Sequence, residues 1–208
     1  MSSPGIDFME LCMEANRRHL IAVTEKLLDK HGPSTISERQ ILSSAGLNPA
    51  DLRVHYDDIQ ELIEEACLAR FALQVSYSGA QLKSAADRCN DAQAFKAILA
   101  KVTRETQGRN RAHARRERAE VIVMAQKSLR LRAKLGRLQD ELTDALEEAF
   151  QTAQDKGWFN RDTPARAGAL FVQAYTLGRM VDDVSATPID EEEWFALIDR
   201  IVDRMFAA

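Results

Sequence analysis

The residues best suited by type and spacing to act on another molecule lie between Ser37 and Tyr56. Ser37-Glu38-Arg39-Gln40 reads as a capping box, in which the serine hydroxyl and the glutamine amide satisfy each other's free N–H groups. Asn48-Pro49-Ala50-Asp51 reads as a second helix start, with Asn at the cap, Pro at the first helical position and an acid at the third. Only Ala45-Gly46-Leu47 separates the two helices. Gly46 supplies the positive φ of the turn, and Leu47 supplies an apolar plug. Two short helices joined in this way form a helix-turn-helix, whose second helix can enter a major groove and meet base edges with its N-terminal residues. Asn48, Ala50, Asp51, Arg53 and His55 are the candidates for that helix, and a guanidinium at Arg53 can grip a phosphate or reach a guanine. Asp51 has two readings, a helix cap or an acceptor from cytosine N4. Arg17, Arg18, Ser37 and Arg39 are placed to hold the nucleic-acid backbone.

A second set of charged residues lies further along. Residues 101–140 hold 12 Lys/Arg and 4 Asp/Glu, whereas residues 1–70 hold 7 and 12, so the positive charge sits away from the helix-turn-helix. The run from Arg104 to Arg137 includes Arg115-Arg116-x-Arg118. It has three readings: a nucleic-acid patch, the solvated face of a helix balanced by Glu117 and Glu120, or a seat for an anionic effector such as an acyl-CoA. Phe95, Leu99, Met124, Trp158, Phe171 and Tyr175 are candidates for lining an apolar effector pocket between helices, or for ordinary core.

The remaining reactive side chains suggest no catalysis. The four histidines show no metal-ligand spacing, there is no P-loop or GxGxxG, and no Ser/Cys–His pair stands out. Cofactors and an enzymatic role are therefore not expected. Cys12, Cys67 and Cys89 form no CxxC pair, which fits a reducing cytoplasm, and Cys67 reads as core sooner than as a redox sensor. No signal peptide is expected at the N-terminus, and no apolar run approaches membrane-spanning length.

The elements that must position these groups are helices. The chain has 208 residues, 45% apolar and only 6% aromatic, and its long segments are rich in strong helix formers. A first helix is expected from Asp7, its cap, to Lys30, ending at His31-Gly32-Pro33 with Gly32 left-handed. Leu20, Val23, Leu27 and Leu28 are its inward stripe. Asp57-Asp58 caps a fourth helix, with Glu61 completing a box. Its buried face is Ile59, Leu62, Ile63 and Ala66, and it reaches about Ser76, with 77–89 either its continuation or a connector. Asn90-Asp91 caps a fifth. A long helical stretch, Arg111–Lys156, breaks near 128–135 and ends at Gly157. Thr163-Pro164 opens an eighth helix and Asp190-Glu191-Glu192-Glu193 a ninth, with acids where the helix dipole favours them.

The fold class is therefore all-α, about nine helices: a three-helix helix-turn-helix head followed by a helical bundle. The residues Ser37-x-x-x-Ile41-Leu42-x-x-Ala45-Gly46-Leu47-Asn48-x-x-x-Leu52-Arg53-x-His55-Tyr56-x-x-Ile59-x-x-Leu62 resemble the TetR-family pattern. So do the long first helix and the segment Gly157, Trp158, Asp162, Thr163, Pro164 before two final helices. The resemblance implies a DNA-binding domain over residues 1–57, an effector-binding and dimerisation domain over 58–208, a homodimer, a double-stranded DNA operator and a small-molecule effector. It also implies that Tyr56 keeps the packing place of the family's Phe while serving the DNA-binding head. Leu177, Val181, Trp194, Leu197 and Ile201 are the implied dimer seam. Three departures stand out. Arg53 replaces the family's Tyr, Ile59 replaces a phosphate-contacting Lys, and Asp51, Asp57 and Asp58 put negative charge where phosphates would lie. These departures leave open an alternative, a TetR-like fold with weakened or lost DNA binding that acts through protein partners.

Overall fold

The computed structural model describes residues 8–206, without the side chains of residues 8–11 and 76–78; the expected Asp7 cap lies outside the described residues. Among the described residues the chain is helical and contains no sheet, with one isolated bridge between Phe159 and Phe206. It divides into two compact units, residues 1–70 and 71–208.

The first unit holds α1 (Phe8–Leu28), α2 (Glu38–Ala45), α3 (Pro49–Arg53) and the first part of α4 (Ile59–Arg88). Leu20 and Val23 of α1 are buried with Ile41, Leu42, Leu52, Tyr56, Leu62 and Ile63, which is one small core. Such a core comes from burying one apolar stripe per helix. The exit from α1 differs from expectation. Gly32 has φ −68° and ψ 152°, so it is extended and not left-handed. The following Pro33 explains this, since its ring disfavours helical backbone in the residue before it. Pro33 opens a single 3-10 turn to Thr35.

α4 is longer than its apolar face suggests. It runs unbroken to Arg88, so residues 77–88 are its continuation and not a connector. Asp58 Oδ1 accepts from Glu61 N–H at 2.8 Å, and the Glu61 carboxylate takes the N–H of Asp57 at 3.2 Å.

The second unit contains the rest of α4, α5 (Ala92–Gln107), α6 (Ala112–Ala125), α7 (Leu129–Asp155), α8 (Ala165–Gly178), the one-turn α9 (Met180–Asp183) and α10 (Glu191–Asp203). Asp91, Ser128 and Asp190 cap α5, α7 and α10 through their side chains. Gly157 ends α7 at φ 74°, a conformation that disfavours any side chain. α8 starts one residue later than its sequence suggests, with Pro164 as the cap. Phe95, Phe150, Phe159 and Phe206 form an aromatic core, with Phe150 and Phe159 stacked at 4.9 Å. α10 is amphipathic in a particular sense: Phe195, Ile198 and Val202 are buried, while Leu197 and Ile201 stay exposed.

Candidate nucleic-acid interface and body cavity

The hairpin of α2 and α3 is fixed at every joint by local hydrogen bonds. Ser37 and Gln40 close their box, with Gln40 Oε1 accepting from Ser37 N–H at 2.9 Å. Gly46 takes φ 66° and ψ 28°, and its N–H donates to the Leu42 carbonyl. Asn48 Oδ1 accepts from the N–H groups of Ala50 (2.8 Å) and Asp51 (3.2 Å), while Asp51 Oδ2 accepts from Asn48 N–H at 2.9 Å. Of the two readings of Asp51, the cap describes its position in this structure. Its carboxylate is spent on the helix start.

The candidate DNA-contacting residues fall into two groups. Arg18, Ser37, Arg39, Asn48, Ala50 and Arg53 are exposed, and Asp51 and His55 are half-buried. Arg53 donates to the Pro49 carbonyl at 3.2 Å and lies 3.9 Å from Glu38, a loose pair that costs little to break. By contrast, Tyr56 is only 3% exposed, so it packs and presents nothing outward. Arg17 is bound to Glu65 at 2.5 Å, and that carboxylate also raises the Tyr56 phenol above its ordinary value, after the larger effect of burial. Val54, which the sequence did not single out, is exposed on the turn after α3.

In the second unit the helices enclose a cavity. Val75, Leu82, Val102, Leu142, Leu146 and Val172 form its apolar wall, and Gln74, Thr106, Gln173 and Thr176 add polar atoms. Arg115 and Arg118 come to it from α6, and Arg111 from the 3-10 turn (Arg109–Arg111) that leads into that helix. The inner volume is about 70 Å3. A neighbouring hollow of about 560 Å3 shares Gln74, Val102, Thr106 and Arg111 with it, so the two adjoin.

None of Phe95, Leu99, Met124, Trp158, Phe171 and Tyr175 lines the inner cavity. Phe95 and Leu99 belong to the core, and Trp158 lies 6.1 Å from Phe95. Phe171 and Tyr175 pair edge-on at 5.2 Å, with Phe171 partly exposed. The sequence signal that marks the cavity is the arginine spacing. The basic run is not a uniform solvated face: Arg116 is exposed, whereas Arg115 is 2% exposed.

Arg115 is fully engaged. Its Nε and Nη2 donate to the two carboxylate oxygens of Asp183 at 2.7 and 2.5 Å, and Nη1 donates to the carbonyls of Thr106 (3.3 Å) and Gly108 (3.1 Å). This fork geometry is the strongest form of Arg–carboxylate pairing. Arg179, also buried, meets Asp182 at 2.9 Å and stacks on Trp194 at 4.9 Å. The candidate seam residues Val181 (79% exposed) and Leu197 (42%) are open to solvent, as are Val184, Leu170 and Ile201, while Leu177 and Trp194 are half-buried.

No protein-family model and no curated protein matches the chain. Solved structures do. A TetR transcription regulator from Haloarcula marismortui superposes with a TM-score of 0.71 at 15% identity, covering 93% of this chain and all (100%) of that one. The fold of this chain is that of the TetR regulators. A regulatory protein of the TetR family from Rhodococcus RHA1 gives a TM-score of 0.61 at 16% identity, over 93% and 97% of the two chains. A candidate transcriptional regulator from Saccharomonospora viridis, in complex with choline, gives 0.70 at 15% identity, over 94% and 99%. These TetR-fold neighbours are transcriptional regulators. Among the described residues, no helix is long and apolar enough to cross a membrane, and no group of side chains could hold a metal ion.

Proposed function

We propose that the protein is a transcriptional repressor of the TetR type. It binds operator DNA as a homodimer through α2 and α3, and a small molecule in the body cavity releases it. The observation that carries this reading is the doubly capped α2–α3 hairpin, with Asn48 and Ala50 exposed at the start of its second helix and Arg53 exposed at its end. Residues at that position of a helix-turn-helix meet base edges. A two-fold dimer would carry two such helices to a near-palindromic site with half-sites roughly 34 Å apart.

The exposed apolar residues of α8, α9 and α10 support the dimer, since a monomer gains nothing by leaving Val181, Val184 and Leu197 in water. The cavity supports the effector. Binding there would favour a conformation in which the two heads no longer fit successive grooves. The coupling must be reciprocal, so operator DNA weakens effector binding by the same factor. The choline held by the Saccharomonospora viridis neighbour is a poor guide to the ligand here, because the described lining of the inner cavity carries arginines and no carboxylate.

The test is DNA binding by the purified protein to the intergenic region upstream of its own gene, titrated across salt. A saturable shift that weakens steeply as salt rises is expected, because cations replace counterions at the phosphates. Arg53→Ala should weaken that shift by about tenfold or more. No shift at low salt from a folded dimer overturns the DNA-binding reading in favour of action through protein partners.

A further inference from the structure

We infer that the body cavity takes an organic anion: an apolar tail against the aliphatic wall, with its carboxylate or phosphate head on Arg118. This assignment rests on the reading of the second unit as the effector-sensing unit.

Arg118 differs from its neighbours on α6. Arg115 is held by Asp183 and two carbonyls. Arg118 lies over the Phe71 ring at 5.4 Å, no carboxylate pairs with it among the described residues, and its buried Nε has no hydrogen-bond partner. A half-buried guanidinium whose Nε is shut away from water without a partner is costly, and burial alone lowers its pKa. An aliphatic residue would fill the place at less cost, so the cation is explained by a partner that arrives from outside. Gln74 lines the same cavity. Its Nε2 donates to Glu117 at 2.8 Å, while its buried Oε1 lacks a donor. An anion with a hydroxyl or amide N–H near its head would satisfy both orphaned atoms. Arg111, exposed where the inner cavity meets the outer hollow, adds positive charge at the entrance. Among the described lining residues of the inner cavity there is no Asp or Glu to oppose the anion. Val75, Leu82, Leu142 and Leu146 then provide the wall for an alkyl or aryl tail. A mostly apolar pocket with a few polar groups that fix orientation is the general pattern of small-molecule sites.

The experiment is isothermal titration calorimetry on the full chain with four probes of one tail length: octanoate, octyl phosphate, 1-octanol and octyltrimethylammonium. Octanoate or octyl phosphate should bind at least tenfold more tightly than octanol, and the ammonium should give no binding. Whichever anion binds more tightly identifies the head group. Arg118→Gln should reduce the preference for the anion at least tenfold, while Arg116→Gln, on the exposed face of the same helix, leaves it unchanged. Equal affinity for octanol and both anions overturns the assignment on the unmodified protein alone, without reliance on any variant's folding. Wild-type anion affinity in a folded Arg118→Gln overturns it as well. DNA release is scored separately. An anion that binds but leaves DNA bound defeats only the release of DNA by a ligand in the cavity. Operator binding with no anion bound defeats only this assignment.

Discussion

Two side chains show how chemistry at single residues sets stability. Asp183 is the carboxylate that makes a buried Arg115 tolerable. Asp183→Asn would leave the guanidinium desolvated without a counter-charge, so a loss of about 3 kcal/mol is expected in urea unfolding. Tyr56 works in the opposite direction. Its hydroxyl is buried near Glu65 and Arg17 without closing a hydrogen bond. Burial, then the Glu65 charge, raises its folded pKa, so the neutral phenol's contribution is present below the unfolded value of about 10 and is lost as pH rises beyond it. Tyr56→Phe should leave stability near neutral pH unchanged or slightly higher, and should blunt the alkaline fall that unfolding curves above about pH 10 record. Neither role is visible in the sequence. Asp183 and Arg115 are 68 positions apart, and nothing local to either one signals the pair.

At the scale of elements, caps and turns were the most legible features. Ser37/Gln40, Asn48/Asp51, Asp91, Asp190 and the glycines at 46 and 157 act within three or four residues, so their local sequence is enough to place them. Gly32 failed because the next residue is proline, and Pro33 overrides the preference of glycine. The continuation of α4 to Arg88 was open for a different reason. Leu82, Ala85 and Ala86 are buried there, but the polar residues between them blur the periodicity. The hairpin carries a prediction at this scale. Asn48→Ala removes the Oδ1 that accepts from the N–H groups of Ala50 and Asp51 at the start of α3 and should cost about 1 kcal/mol. Gly46→Ala should cost about 1–2 kcal/mol from the left-handed backbone. Thermal unfolding reads both, and operator affinity should fall with each if α3 is the reading helix.

For the molecule as a whole, the all-α class was readable from helix length and the order of punctuation. The cavity was not. Its wall draws on α4, α5, α6, α7 and α8, and no periodicity in one helix reports what four others leave empty. Of the residues that suggested a pocket, Phe95 and Leu99 are core, while Phe171 is partly exposed. The apolar stripes of α8 and α10 were legible as stripes, but only burial separates the inward half (Phe195, Ile198, Val202) from the outward half (Leu197, Ile201). If the outward half is the dimer seam, Val181→Asp with Leu197→Asp should halve the mass measured by sedimentation equilibrium while helical content stays the same. An unchanged mass would move the interface elsewhere.

The stack of Arg179 on Trp194, with Trp194 Nε1 donating to Gln107 Oε1 at 2.6 Å, has an optical consequence. An indole held against a cation and tied to an amide emits differently from one in water. The sequence contains only one other tryptophan, Trp158, so a Trp158→Phe protein has a single fluorophore. That fluorophore touches Arg179, whose partner Asp182 adjoins the Asp183 that clamps Arg115 at the cavity wall. A ligand that disturbs Arg115 should therefore change the intensity or wavelength of Trp194 emission, and α9 can be followed in solution without any added label.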